Sequence, residues 1–254
     1  MEKTKAFLKR IGMDENALIE YTYDFLGRVQ TACVTHIAYE NLDILAGKPL
    51  KLDIDSLFEK IVRNGRGGYC FELNGLLSGM LLHMGFSVSE RFARFLRGEK
   101  EIPMRRHRVT VVSLSDGDYF LDIGVGQIAP RLPLKMEENL VQSQNGETYR
   151  FQKDDLHGWV LWELHNGAWR EYLAIPMDPA YPIDFLQPSF FCEKHPDSVF
   201  NKQRMIAIKT DTGRKTIDAD TYKVFKGESL LEIRENLADN EINKLLKTEF
   251  FLNI

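Results

Sequence analysis

The sequence predicts an α+β fold: helices come first, an antiparallel β region follows, and a small α/β piece ends the chain. Three observations carry this. The first 86 residues hold apolar residues at helical spacing. From about residue 87, short runs rich in Val, Phe, Tyr and Trp are punctuated by turn dipeptides. The order is segregated, with no strand-helix alternation of the kind that builds a parallel sheet. The division read from it is 1–86, 87–190 and 191–254.

In chain order, Asp14 is placed to cap a helix through Leu18, Ile19, Tyr21, Tyr23 and Phe25. A second helical pattern runs from Thr35 to Leu45, with Glu40 and Asp43 on one face. Asp53 or Asp55 starts a third, through Leu57 and Ile61. After Gly67-Gly68, Leu73, Leu76, Leu77, Met80, Leu81 and Met84 form a core-facing stripe that Gly85 ends. Strands are expected at Phe86–Phe95, Arg108–Leu114, Tyr119–Val125, Tyr149–Phe151, Trp159–Leu164 and Arg170–Ala174, joined by Asp116-Gly117, Asn145-Gly146 and Asn166-Gly167 turns. This is a curled antiparallel sheet or barrel. Pro176 to Pro188 reads as a connection. Strands follow near Met205–Ile208, Lys215–Ile217 and Tyr222–Phe225, and then a helix through Leu230, Leu231, Ile233 and Leu237.

The chain has 254 residues, 44% of them hydrophobic, and a formal net charge of -4. A basic excess would mark a nucleic-acid or membrane-surface protein, and there is none. The polar start MEKTKAFLKR is no secretory signal, and no apolar run is long enough to span a bilayer. We expect a cytoplasmic enzyme that binds neither nucleic acid nor membrane; oligomeric state is not legible. Three cysteines without CxxC spacing argue against a disulfide framework and a metal site. Cys33 and Cys192 read as small buried hydrophobes.

Cys70 differs. It stands in the first turn of the best-defined helix, where free N–H groups and the macrodipole favour an anion and lower a thiol pKa. A packing role remains open at this point. A thiolate nucleophile needs a base, and the base an orienting partner. His107 opens one apolar strand, and Asp122 lies inside the next, where an unpartnered carboxylate is costly. Both residues project to one face. A turn centred on Asp116-Gly117 pairs residue 122 with 111, leaving His107 roughly 13 Å along the strand. Contact then requires a bulge, a wider loop or strong twist.

Arg66-Gly67-Gly68-Tyr69-Cys70-Phe71-Glu72-Leu73-Asn74 resembles the RGGxCxExN signature of arylamine N-acetyltransferases. His107 with its apolar strand, and Asp122-Ile123-Gly124-Val125-Gly126, are similar to that family's His and DVGFG segments. Glu40-Asn41-Leu42-Asp43 and His195-Pro196-Asp197-Ser198-Val199-Phe200 are similar to its PFENL(D/N) and HPxSxF elements. Two departures stand out: Ala38-Tyr39 where the family has Pro-Phe, and Val125 in place of Phe in the acceptor pocket.

The resemblance implies an N-terminal helical bundle, a central antiparallel β-barrel and a C-terminal α/β lid, a papain-like cysteine enzyme arrangement. It implies that Cys70, His107 and Asp122 meet as a catalytic set. Arg66 is expected to pair with Glu40 and Asp43. The implied activity is acetyl transfer from acetyl-CoA to an aromatic amine or hydrazine through an acetyl-cysteine, with no metal. Arg105 and Gly126 are candidate coenzyme A contacts. Arg105, Arg106 and Arg108 read either as phosphate contacts or as a solvated charge run. The rivals are a cysteine hydrolase or transglutaminase-like enzyme working without coenzyme A, and an inactive relative that binds ligand without turnover.

Overall fold

The computed structural model describes residues 1–254. Helices α1 (Glu2–Arg10), α2 (Tyr23–His36), α3 (Leu42–Leu45), α4 (Ile54–Leu57) and α5 (Cys70–His83) precede an eight-stranded antiparallel sheet. Its strands are β1 (Ser87–Phe95), β2 (His107–Leu114), β3 (Gly117–Leu121), β4 (Leu134–Lys135), β5 (Gln142–Gln144), β6 (Glu147–Asp154), β7 (Gly158–His165) and β8 (Ala168–Ile175). The spatial order is β4-β3-β2-β1-β8-β7-β6-β5. Then come α6 (Leu186–Lys194), a four-stranded meander β9 (Met205–Thr210), β10 (Gly213–Asp218), β11 (Thr221–Lys226) and β12 (Ser229–Arg234), and α7 (Asp239–Thr248).

The large sheet curls until its edges meet, and two glutamines close the gap. Gln142 bonds both the N–H and the carbonyl of Lys135, at 2.8 and 2.9 Å. Gln144 does the same to Leu132. The expected barrel is thus nearly closed, by side chains where a ladder would otherwise run. Strand β2 is buried on both faces. Val109 enters the barrel core with Phe120, Phe151 and Tyr172, whereas Val112 joins the helical core with Leu73, Leu77 and Met80.

Several expectations are corrected. α2 starts at Tyr23, where the Thr22 hydroxyl accepts the Phe25 N–H, and not at Asp14; Leu18 is 77% exposed and anchors nothing. α1 carried too short an apolar pattern to be found. The single helix expected over Thr35–Leu45 is broken, since α2 ends at His36 and Tyr39 instead pairs backbone with Ala207 of β9. α4 forms at Asp53 as expected and runs on as a π-helical turn, Phe58–Arg63. The Pro176–Pro188 connection includes the first turn of α6, which crosses residue 190. Residues 230, 231 and 233 lie on β12, an exposed edge strand, and the C-terminal helix is α7. α7 presents Ile242, Leu245 and Leu246 to Ile206, Ile208 and Ile217 of the meander.

The strand register is corrected too. The β2–β3 loop is Ser115-Asp116, one residue earlier than the Asp116-Gly117 turn, and Thr110 pairs with Leu121. Tyr119 and Leu121 thereby reach the helical core while Phe120 enters the barrel. The Asn145-Gly146 and Asn166-Gly167 turns form as expected, all four residues having positive φ.

A charged strap holds the loop before α5. Arg66 Nη2 bridges Glu40 (3.2 Å) and Asp43 (3.0 Å), and Lys60 bridges Asp43 (2.9 Å) and Glu72 (2.7 Å). The expected Arg66 pairing therefore forms through one nitrogen, with Lys60 as an unforeseen second cation. Burial works against the Asp43 charge, but Lys60 and Arg66 outweigh it and hold its carboxyl at about 2, below its ordinary 3.8. Glu72 is buried more deeply, and burial pushes it up to about 7 against the pull of Lys60. Gly67 makes the strap possible, since a Cβ there would sit 2.2 Å from the Ala38 carbonyl.

A depressed carboxyl pKa contributes stability that is present above the ordinary value and lost as pH falls through the folded one. Asp43→Asn is therefore expected to lower unfolding free energy by up to about 2 kcal/mol at neutral pH. Urea denaturation should show this loss shrinking as pH is lowered from about 4 toward 2.

Candidate active site

Cys70 opens α5, with the Glu72 carboxylate accepting the Tyr69 N–H at 3.3 Å to fix the entry. Tyr69 is buried, bonds Ser189 of α6 through its hydroxyl at 2.6 Å, and packs edge-on against Phe71 and Phe200. The nucleophile candidate thus sits on a turn clamped from both sides. Gly124 lies directly on it, since a Cβ there would come within 2.7 Å of Cys70 Cα.

His107 and Asp122 meet at the mouth of the barrel. The corrected register places Asp122 opposite Val109, so His107 is its diagonal neighbour on the same face. β3 ends at Leu121, which frees Asp122 to turn toward the ring. Its Oδ2 lies 2.7 Å from His107 Nε2, and both side chains are fully buried. Oδ1 accepts from Asn74 Nδ2 at 2.9 Å and from the Gly124 N–H at 2.8 Å. Three donors converging on one carboxylate satisfy its buried charge. An ionised carboxylate only accepts, so Nε2 carries the ring proton and Nδ1 keeps its lone pair. His107 Nδ1 is buried and has no hydrogen-bond partner in the protein.

Asn74, the last residue of the RGGxCxExN match, ties these elements together. It stands one helical turn after Cys70, donates to the Arg108 carbonyl as well as to Asp122, and accepts the Ile123 N–H at 2.9 Å. A buried polar residue within the apolar α5 pattern was the available signal, the same one that drew attention to Asp122.

The expected lowering of the Cys70 pKa is reversed. Burial, with the nearby Cys192 and Asp122 adding to it, pushes the thiol well above its ordinary value. The Phe71 and Arg108 N–H groups favour the anion and do not offset this. The helix start alone therefore does not make a thiolate here. Cys33 and Cys192 are buried as expected, although Cys192 shares an apolar cluster with Cys70.

Cys70 and His107 line one cavity of about 270 Å³. Its walls include Phe95, Val125, Gly126 and Ile128 from the barrel side, Val199 and Phe200 after α6, and Met205, Ala207, Thr216 and Asp218 from the meander. Gly126 has φ +59 and packs against Tyr39 and Ala207. Arg106 borders this cavity and a second one of about 650 Å³, where Arg105 lies with Phe92 and Phe191. Arg108 fits neither reading made for it. It is buried, paired with Glu90 and bonded to the Phe71 carbonyl at 3.2 Å, with its guanidinium 4.5 Å from the centre of the Phe185 ring.

A family model described as N-acetyltransferase matches residues 22–254. The arylamine N-acetyltransferase of Mycolicibacterium smegmatis is 30% identical over 251 residues, spanning 94% of this chain and 88% of that protein. The Salmonella typhimurium arylamine N-acetyltransferase structure superposes with a TM-score of 0.95 at 25% identity, covering 100% of this chain and 92% of that one. The Mycobacterium marinum arylamine N-acetyltransferase, solved in complex with CoA, gives a TM-score of 0.90 at 28% identity over 98% of this chain and 93% of that one. Sequence likeness and fold agree over nearly the whole length, and the chain belongs to the arylamine N-acetyltransferase family of acyltransferases.

Proposed function

We propose that this chain moves an acetyl group from acetyl-CoA to aromatic amines and hydrazines in two half-reactions, through an acetyl-cysteine at Cys70. Cys70, His107 and Asp122 are its catalytic residues. The observation that carries the reading is the buried His107 ring, fixed by Asp122 at Nε2 and left without a partner at Nδ1, in a residue that lines one cavity with Cys70.

Because burial disfavours an isolated thiolate, the Cys70 proton leaves only as His107 takes it. The resulting imidazolium is stabilised by Asp122. The Cys70 sulfur bonds to the acetyl carbon, and His107 returns the proton to the departing thiol sulfur. In the second half-reaction the neutral amine nitrogen attacks the acetyl-cysteine, His107 Nδ1 accepts the amine proton, and Cys70 is released. An apolar cavity suits this chemistry, since anilines arrive uncharged and water would hydrolyse the thioester.

Arg105 and Arg106, beside the second cavity, are the cations we assign to the phosphates of the acyl donor, and Gly126 gives the ligand a close approach to backbone. No cluster of His, Cys, Asp or Glu with metal-ligand geometry occurs in the chain, and every proton transfer here is assigned to a side chain. We further propose that residues 1–86 supply the nucleophile, 87–190 its base and orienting carboxylate, and 191–254 the cover. The helices are too short or too polar to cross a membrane, and we assign the enzyme to the cytoplasm. Family membership speaks against the hydrolase reading.

Incubation with acetyl-CoA is expected to add one acetyl mass to the intact wild-type protein and none to Cys70→Ala; an unmodified wild type would overturn the proposal. Asp122→Asn, which leaves the ring with the wrong tautomer, is expected to lower kcat by roughly 10³- to 10⁴-fold. Asn74→Ala strips one donor from Asp122 and is expected to lower kcat by roughly 10- to 100-fold. In steady-state kinetics both should leave the acceptor KM nearly unchanged.

A further inference from the structure

One cationic side chain, Arg106, and one carboxylate, Asp218, line this cavity, and Arg106 also borders the adjoining cavity where Arg105 and Asp184 lie. The meander side carries a single carboxylate, Asp218, at the end of β10. Period-2 alternation along β10 turns Ile217 into the core beneath α7, and so turns Thr216 and Asp218 to the cavity. Asp218 pairs with Met205, two residues along β9 from Ala207, and Ala207 packs on Gly126.

The Asp218 side chain makes no hydrogen bond and no ion pair, unlike the other carboxylates buried around the site. Glu40, Asp43, Glu72, Glu90 and Asp122 each have a partner. Burial pushes its pKa up, and Lys223 draws it back only in part, from beyond ion-pair distance. A half-buried carboxylate bordering an apolar cavity costs free energy that Lys223 offsets only in part. A ligand cation placed there would offset it. Phosphates would be repelled by Asp218, which leaves this end of the cavity to the acceptor.

We propose that Asp218 is a specificity residue that selects acceptors carrying a cationic group on the ring, remote from the reacting amine. Acceptors with an anionic group in that position are disfavoured. The inference rests on the acetyl-transfer reading of the same cavity.

Three acceptors of one shape test it: 4-aminobenzamidine, 4-aminobenzamide and 4-aminobenzoate, positive, neutral and negative at the remote end. Acetylation kinetics are measured for wild type and Asp218→Asn. The substitution is expected to lower kcat/KM for the amidine roughly 10- to 100-fold. It should raise kcat/KM for the benzoate and leave the neutral amide nearly unchanged, which also reports that the variant is folded. All three acceptors acetylated, with ratios the same in both proteins, would overturn the role of Asp218 alone. No acetylation of any of them by wild type would overturn the reading on which it rests.

Discussion

A carboxylate with no access to water sets the terms for the rest of this site. Asp122 is fully buried, and its charge is tolerable only because His107, Asn74 and the Gly124 N–H all point at it. Each of those donors comes from a different part of the fold: the first residue of β2, the second turn of α5 and the loop after β3. Satisfying one buried charge therefore fixes the helix that carries Cys70 against the barrel that carries His107. It also decides the tautomer of the ring, and with it which nitrogen keeps its lone pair.

The same burial explains why the thiol is not a standing thiolate. Desolvation outweighs the backbone N–H groups at the start of α5, which is why the proposed mechanism gives the thiol proton to His107. The strap of Glu40, Arg66, Asp43, Lys60 and Glu72 serves that arrangement from behind, and Arg108 with Glu90 braces the Phe71 carbonyl from the barrel side.

What was legible in the sequence was local chemistry. The Asn-Gly turns, the glycines before α5 and the stripe behind Cys70 each depend on a few neighbouring residues. Asp122 was legible as a debt, a charge in an apolar run that some partner had to meet. The register joining it to His107 was not, because it is set by which of Tyr119, Phe120 and Leu121 enter which core. Leu230, Leu231 and Ile233 carried a helical spacing that pairing with β11 overrode. Arg108 looked like one member of a charge run until Glu90, eighteen residues back, was brought beside it. Lys60 acts only through contacts made across the fold, and nothing adjacent in sequence announces it.

The dependence of Cys70 reactivity on His107 is the claim at the centre of this account. It is tested most directly by alkylating the protein with iodoacetamide across a range of pH, locating the label at Cys70, and comparing wild type with His107→Gln. The account predicts that wild type reacts at mildly acidic to neutral pH, where the variant is nearly inert and gains reactivity only in strongly alkaline solution. Superimposable pH profiles for the two proteins would contradict it, because the sulfur would then owe nothing to the imidazole.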